Sequence, residues 1–157
     1  MSIEQSGNVT SGHLATWITN GVVGDGGSPI GSAFVLASLL SADFNTTADQ
    51  PIALPSTVNY FALTGIIIAA ASTSLTTAAG GFYPTTSKGG SAIVSSAQAY
   101  SALTANTLLM NATLTAYAQA QFFSRTQLAD WAIYLSLTTP QGSDALANIY
   151  LLGTVLG

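Results

Sequence analysis

Two long stretches of this chain contain no Asp, Glu, Lys or Arg: the 38 residues between Asp49 and Lys88, and the 36 between Lys88 and Arg125. The surface of a free-standing domain normally carries roughly 25–35% charged residues. A chain without them must cover itself in hydroxyls and amides, or bury its surface against something else. Only Lys88 and Arg125 are basic. Glu4, Asp25, Asp43, Asp49, Asp130 and Asp144 are acidic, and the net charge over 157 residues is −4.

This balance excludes several classes. Two basic side chains cannot neutralise a run of phosphates, so nucleic acid is not an expected partner. Polybasic attachment to an anionic membrane fails for the same reason. The absence of cysteine removes disulfide scaffolds, thiol catalysis and cysteine-based metal centres. Disorder is also excluded, because 48% apolar residues, fourteen of the side chains aromatic, suffice for a core. A spanning helix needs about 20 mostly apolar residues. The best window, Tyr60 to Gly80, holds an unbroken apolar or glycine run only from Gly65 to Ala71, seven residues, before Ser72, Thr73, Ser74, Thr76 and Thr77. The start, Met1-Ser-Ile-Glu-Gln, has neither the basic nor the apolar region of a signal peptide. The expectation is a soluble protein with no membrane partner and no cleaved signal.

Ala, Thr, Ser and Gly together supply 78 residues. Glycine is dense at the start, where Gly7, Gly12, Gly21, Gly24, Gly26, Gly27 and Gly31 precede or flank Pro29. Such a segment has little to pack against itself, so residues 1–32 are expected to form an extended N-terminal arm with a short strand at Leu14 to Thr19. Trp17 and Ile18 suit that arm for docking.

Residues 33–157 read as a β domain. Ala33 to Leu40, Asp43 to Leu54, Val58 to Thr64, Gly65 to Ala71 and Ile149 to Leu156 are the strand candidates. In Thr107 to Tyr117, Leu108, Met110, Ala112 and Leu114 alternate with Leu109, Asn111, Thr113 and Thr115. In Trp131 to Leu137 the odd positions Trp131, Ile133, Leu135 and Leu137 are apolar. Period-two alternation marks half-buried strands. Gly80-Gly81, Lys88-Gly89-Gly90, Ala105-Asn106 and Pro140-Gln141-Gly142 read as turns. The expected fold is all-β, a jelly-roll-like β-sandwich preceded by the arm, with at most one short helix. Ala92 to Leu103 is Ala-rich enough to compete for that helix, although Ile93, Val94 and three serines oppose it. Ala116 to Asp130 is equally ambiguous.

Candidate chemistry is sparse. His13 is the only histidine, and with Ser11 and Asp25 it would need to be held rigidly to act as a base, which a glycine-rich arm does not do. Asp43 with Asp49, or Asp130 with Asp144, are the carboxylate pairs available to a glycosidase. Each lies among turn formers, where Asp serves the turn itself. No Asp-x-Asp-x-Asp cluster offers the oxygens calcium requires. Gly24 to Gly31 does not match a dinucleotide fingerprint, and Ser87-Lys-Gly-Gly-Ser91 reverses the phosphate-loop order. Phe82, Tyr83 or Trp131 would serve a carbohydrate patch if exposed, but strand aromatics are core residues more often. The expectation is no catalytic residue, no cofactor and no metal.

Interface cores are depleted of charge, and hydroxyls satisfy backbone groups without the cost of burying ions. The composition therefore suits a subunit of a symmetric oligomer, most simply a homotrimer, with subunit contacts in Gln50 to Ser87 and Gly89 to Ser124.

The opening Gly7-Asn-Val-Thr-Ser-Gly-His13-Leu-Ala-Thr-Trp17-Ile-Thr-Asn-Gly21-Val-Val-Gly-Asp25-Gly-Gly27 resembles a motif, GNVTPGHxxxWxTxGVxxDxG, that recurs near the ends of virion proteins of tailed bacteriophages. Ser11 stands where the motif has proline, which loosens that turn. Ser72 to Gly81, Ser87-Lys-Gly-Gly90 and Leu135 to Gly142 are similar to segments of small phage structural proteins. The resemblance covers about half the chain and implies a virion component. Among virion roles, a non-enzymatic capsid decoration (cement) protein fits best: bound to the outer capsid surface, with the major capsid protein as partner. On that implication His13, Leu14, Trp17 and Ile18 of the arm contact the shell or a neighbour. The alternative is a tail-fibre or receptor-binding module with a glycan-binding surface. A glycan-active enzyme using Asp130 or Asp144, and a bacterial surface-layer subunit, are the readings from other classes.

Overall fold

The computed structural model describes residues 4–5, 15–19, 22–25 and 33–156. The chain divides into two compact units, Met1–Ser32 and Ala33–Gly157. In the first, β1 (Glu4–Gln5), β2 (Ala15–Thr19) and β3 (Val22–Asp25) form a three-stranded sheet. Its order is β1-β3-β2, with β1 parallel and β2 antiparallel to β3.

The second unit is built almost wholly of strands: β4 (Ala33–Asp43), β5 (Gln50–Ala53), β6 (Tyr60–Ala69), β7 (Ala79–Tyr83), β8 (Leu109–Asn111), β9 (Phe123–Ser124), β10 (Ala132–Thr139) and β11 (Leu146–Val155). The described helices are α1 (Ala116–Gln119) and a single 3-10 turn at Ala129–Trp131. Two antiparallel sheets result. One runs β5-β10-β7, and the other β4-β11-β6-β8, with β9 also pairing β6. Among the described residues no helix is long and apolar enough to cross a membrane.

Side-chain alternation explains how the sheets close on each other. Along β6, Phe61, Leu63, Ile66 and Ile68 are buried, and along β11, Ala147, Ile149 and Leu151 are. Ile52 of β5, Phe82 of β7, and Ile133 and Leu135 of β10 join them from the other sheet in one core cluster. Each of the Leu, Ile and Phe side chains among them contributes about 1.5–3 kcal/mol when fully buried. The two runs Val58–Thr64 and Gly65–Ala71 are thus one strand, β6. Its register against β11 shifts by a residue between Gly65 and Leu63. A second irregularity lies opposite Asn148. There Ser41 takes φ 56° and its backbone N–H donates to Asn148 Oδ1 at 2.9 Å.

Two expectations need correction, and one open competition is decided. Gly80-Gly81 is not a turn but the middle of β7, paired with Leu137 and Ser136. A Cβ there would collide with adjacent backbone, that of Leu137 and Ser136 at Gly80 and that of Val94 at Gly81, so glycine marks a close approach. Ala92–Leu103 forms no helix. Val94 bridges Phe82 and Leu114, and Ala99 bridges Ala79, so tertiary pairing overrides alanine's preference. The alternation in Thr107–Tyr117 yields only β8, because the backbone N–H of Ala112 turns to Ile66 O at 2.9 Å and Thr115 becomes the cap of α1. Thr115 Oγ1 accepts from Ala118 N at 3.2 Å and donates to Ala92 O at 2.8 Å.

With little charge available, amides join the loops. Asp43 N donates to Gln50 Oε1 and Gln50 Nε2 donates to Asp43 O, both at 2.7 Å, which ties β4 to β5 across the crossing between sheets. Gln141 Oε1 accepts from Thr77 N and Ala78 N at 3.1 and 3.2 Å, while Thr77 Oγ1 donates to Gln141 O at 2.7 Å.

Candidate functional site

Of the four arm residues expected to dock, His13 and Leu14 lie outside the described residues, as does Ser11. Trp17 and Ile18 lie on β2, where Trp17 is opposite Val23 and the register shifts immediately after it. Asp25 closes β3 opposite Ala15. Of Gly24 to Gly31, only Gly24 and Asp25 are described.

The carboxylates considered for acid–base chemistry each accept a hydrogen bond from backbone or from a side chain, with one exception. Asp43 Oδ1 accepts from Asn45 N at 2.7 Å, within the turn that leaves β4. Asp49 Oδ2 accepts from Ser87 N at 2.6 Å. Asp130 sits at φ 51° and its Oδ2 accepts from the Tyr134 hydroxyl at 3.0 Å. Burial first, and then the hydrogen bond and charge of Asp130, push the Tyr134 hydroxyl above its ordinary value. Asp144 lies in the loop before β11 and has no such partner among the described residues. Among the described residues no three His, Cys, Asp or Glu side chains gather as metal ligands. Ser87-Lys88-Gly89-Gly90 is a turn, with φ of 55° and 56° at Ser87 and Lys88 and a bond from Gly89 N to Thr86 O at 3.0 Å.

The aromatics singled out for sugar stacking, Phe82, Tyr83 and Trp131, are all buried. Trp131 Nε1 donates to Pro55 O at 3.1 Å and its ring lies edge-on to Phe61. Arg125 lies over that indole, its guanidinium carbon 4.7 Å from the ring centroid. The same guanidinium donates to Ser56 O at 2.7 Å, Val58 O at 3.3 Å and Asn59 Oδ1 at 3.2 Å.

The exposed aromatics are elsewhere. Tyr60 is 48% and Phe122 53% exposed, with ring centroids 6.1 Å apart. With Leu156 they line an apolar depression of about 280 Å³. Beside it, Asn59, Tyr60, Ser124, Arg125 and Thr126 line a second one of about 280 Å³. The sequence holds a signal for this pair in Phe122-Phe123. Neighbours on extended chain face opposite ways, so when Phe123 fills the core, Phe122 faces out.

A larger cavity of about 530 Å³ has a topological cause. β8 pairs β6 only at Ile67–Ala69 and β9 only at Tyr60–Phe61, leaving the intervening edge of β6 without a strand neighbour among the described residues. Leu63, Thr64, Gly65, Asn111, Thr113 and Gln119 line the gap. None is ionisable, so it can exchange hydrogen bonds but not protons.

The fold and these surfaces define an all-β protein whose described depressions are lined mainly by neutral residues, with Arg125 the one charge at their margin. No protein-family model, no curated protein and no solved structure matches the chain.

Proposed function

We propose that the chain is a non-enzymatic capsid decoration (cement) protein of a tailed phage. On this reading it binds the outer capsid surface and stabilises the shell through oligomer and arm contacts, its larger unit a jelly-roll-like sandwich. The observation that carries the reading is the charge-free composition of residues 50–87 and 89–124, together with the virion-type motif from Gly7 to Gly27. A subunit destined for covered surfaces gains from neutral hydroxyls and amides. Gln141 and Thr115 use theirs to join segments far apart in sequence, and Gln50 uses its amide to tie β4 to β5. Docking through Leu14, Trp17 and Ile18 would contribute about 1.5–3 kcal/mol for each fully buried side chain, repeated at every copy on the shell.

The test is whether purified chain binds undecorated shells and is present on intact particles at a defined copy number, by mass spectrometry and electron microscopy. Deletion of residues 1–24 is expected to abolish shell binding. Decoration at full occupancy by that truncated chain would refute the arm contact, and particles that neither contain nor bind the chain would refute the function.

The exposed Tyr60–Phe122 pair beside Asn59, Ser124 and Arg125 favours a second reading, a tail-fibre or receptor-binding module. Sugar rings offer an apolar face to stack and hydroxyls to bond, which this pairing of depressions would satisfy. Binding to a glycan array, lost in Tyr60→Ala, would select it over the first.

A further inference from the structure

We propose that the outer face of the five-stranded sheet is the surface on which a second copy of this chain seats. The inference rests on the assembly-subunit reading above and names the surface that does the assembling.

A sheet with one face in water alternates apolar and polar residues, whereas one covered on both faces is apolar throughout. The inward face of this sheet is the core described above. Its outward face follows from the register. Val35 pairs with Leu152, which pairs with Gly65, and Tyr150 pairs with Ile67, which pairs with Asn111. Ala69 pairs with Leu109 in the next row. Directly paired residues share a face, so Val35, Leu152, Tyr150, Ile67 and Leu109 stand together although four strands supply them. Val35 is 52% and Leu109 62% exposed. The same rows also hold Ser38, Asn111 and Asn148, all neutral, so among the described residues this face is largely apolar and carries no charge.

Charge decides the occupant. Across these rows there is no Asp, Glu, Lys or Arg. The flanking ones are Asp43, at the far end of β4 opposite Leu146, and Arg125, just beyond β9. An apolar centre with charge confined to the rim is how an interface is organised. A partner with an ordinary surface, about one-quarter charged, would strand ions against that centre. This chain, 5% charged, presents a face that does not. The area is also sufficient. Three strands of ten or eleven residues, about 33 Å long and about 4.8 Å apart, widened by β8, project roughly 500–600 Å². The corrugated accessible surface exceeds that projection and approaches the ~800 Å² that each partner gives a standard interface.

The test is the mass of the full chain in solution, by light scattering on a sizing column and by sedimentation equilibrium, for wild type, for Val35→Lys/Leu109→Lys and for Thr86→Lys. Both residues of the double variant are more than half exposed, so circular dichroism should show the fold unchanged. The expected result is a multimer for wild type and for Thr86→Lys, whose site lies in the turn after β7, and a 15.9 kDa monomer for the double variant. A monomeric wild type, or a double variant that keeps the wild-type mass, overturns the proposal. Shell binding is scored separately. A chain that multimerises through this face but ignores capsids would sink the decoration reading alone, and one that decorates capsids with this face unused would sink the interface alone.

Discussion

The hydroxyl of Tyr100 donates to the backbone carbonyl of Gly80 at 2.9 Å in the interior of the protein. Tyr100 also lies edge-on to Phe44, with ring centroids 5.0 Å apart. One side chain thus anchors β7 and packs in the core against Phe44. Tyr100→Phe keeps the ring and strands the carbonyl, and is expected to cost about 1–2 kcal/mol in urea denaturation. An unchanged midpoint would show that the bond carries nothing.

The same residue sets an alkaline limit. Burial, with Tyr83 nearby, pushes the Tyr100 hydroxyl above its ordinary 10.0, and Tyr134 is raised too, by burial and then by Asp130. A group whose folded pKa is raised lends stability that is complete below the unfolded pKa and is lost as pH climbs past it. Stability should hold from pH 7 to about 10 and fall above that. Tyr100→Phe is expected to fall less steeply over that range, and equal slopes would contradict the assignment.

Two glycines separate close approach from backbone conformation. A Cβ on Gly80 would lie 2.4 Å from Leu137 Cα and 2.7 Å from Ser136 O, both backbone atoms that cannot move aside. Gly80→Ala should fail to fold. Gly142 meets nothing within 4 Å but has φ +85°, so Gly142→Ala should fold with a loss of about 1 kcal/mol. Expression and melting temperature of the two variants read the difference.

Arg125 acts by geometry. Its planar fork reaches Ser56, Val58 and Asn59 while stacking on Trp131, and an ammonium cannot do all of this. Arg125→Lys is expected to lose most of what Arg125→Ala loses, about 1–2 kcal/mol, with a change in tryptophan emission. Full rescue by lysine would mean that charge alone matters.

Ser136 Oγ is buried and has no hydrogen-bond partner among the described residues. Ser136→Ala removes the stranded hydroxyl and nothing else. It is expected to leave stability unchanged or raise it by up to about 1 kcal/mol. A loss greater than that would reveal a partner for the hydroxyl.

The sequence by itself determined the β character and the scarcity of charge. Aromatic and β-branched residues in Val58–Thr64 and Gly65–Ala71, with period-two alternation in Trp131–Leu137, mark extended chain, and no arrangement can add ions that the chain lacks. It did not reveal β7, because glycine at 80 and 81 reads as a turn until Leu137 is known to press against it. Nor did it place the helix. Thr115 caps α1 only once the cap is tied to Ala92. The candidate surfaces were the least legible part. Val35, Ile67, Leu109 and Leu152 come from four strands, and the pairing registers decide that they share a face, since a slip of one residue would turn a strand's side chains inward. That the chain is poor in charge is a property of its sequence; where its uncharged surface gathers is a property of its tertiary pairing.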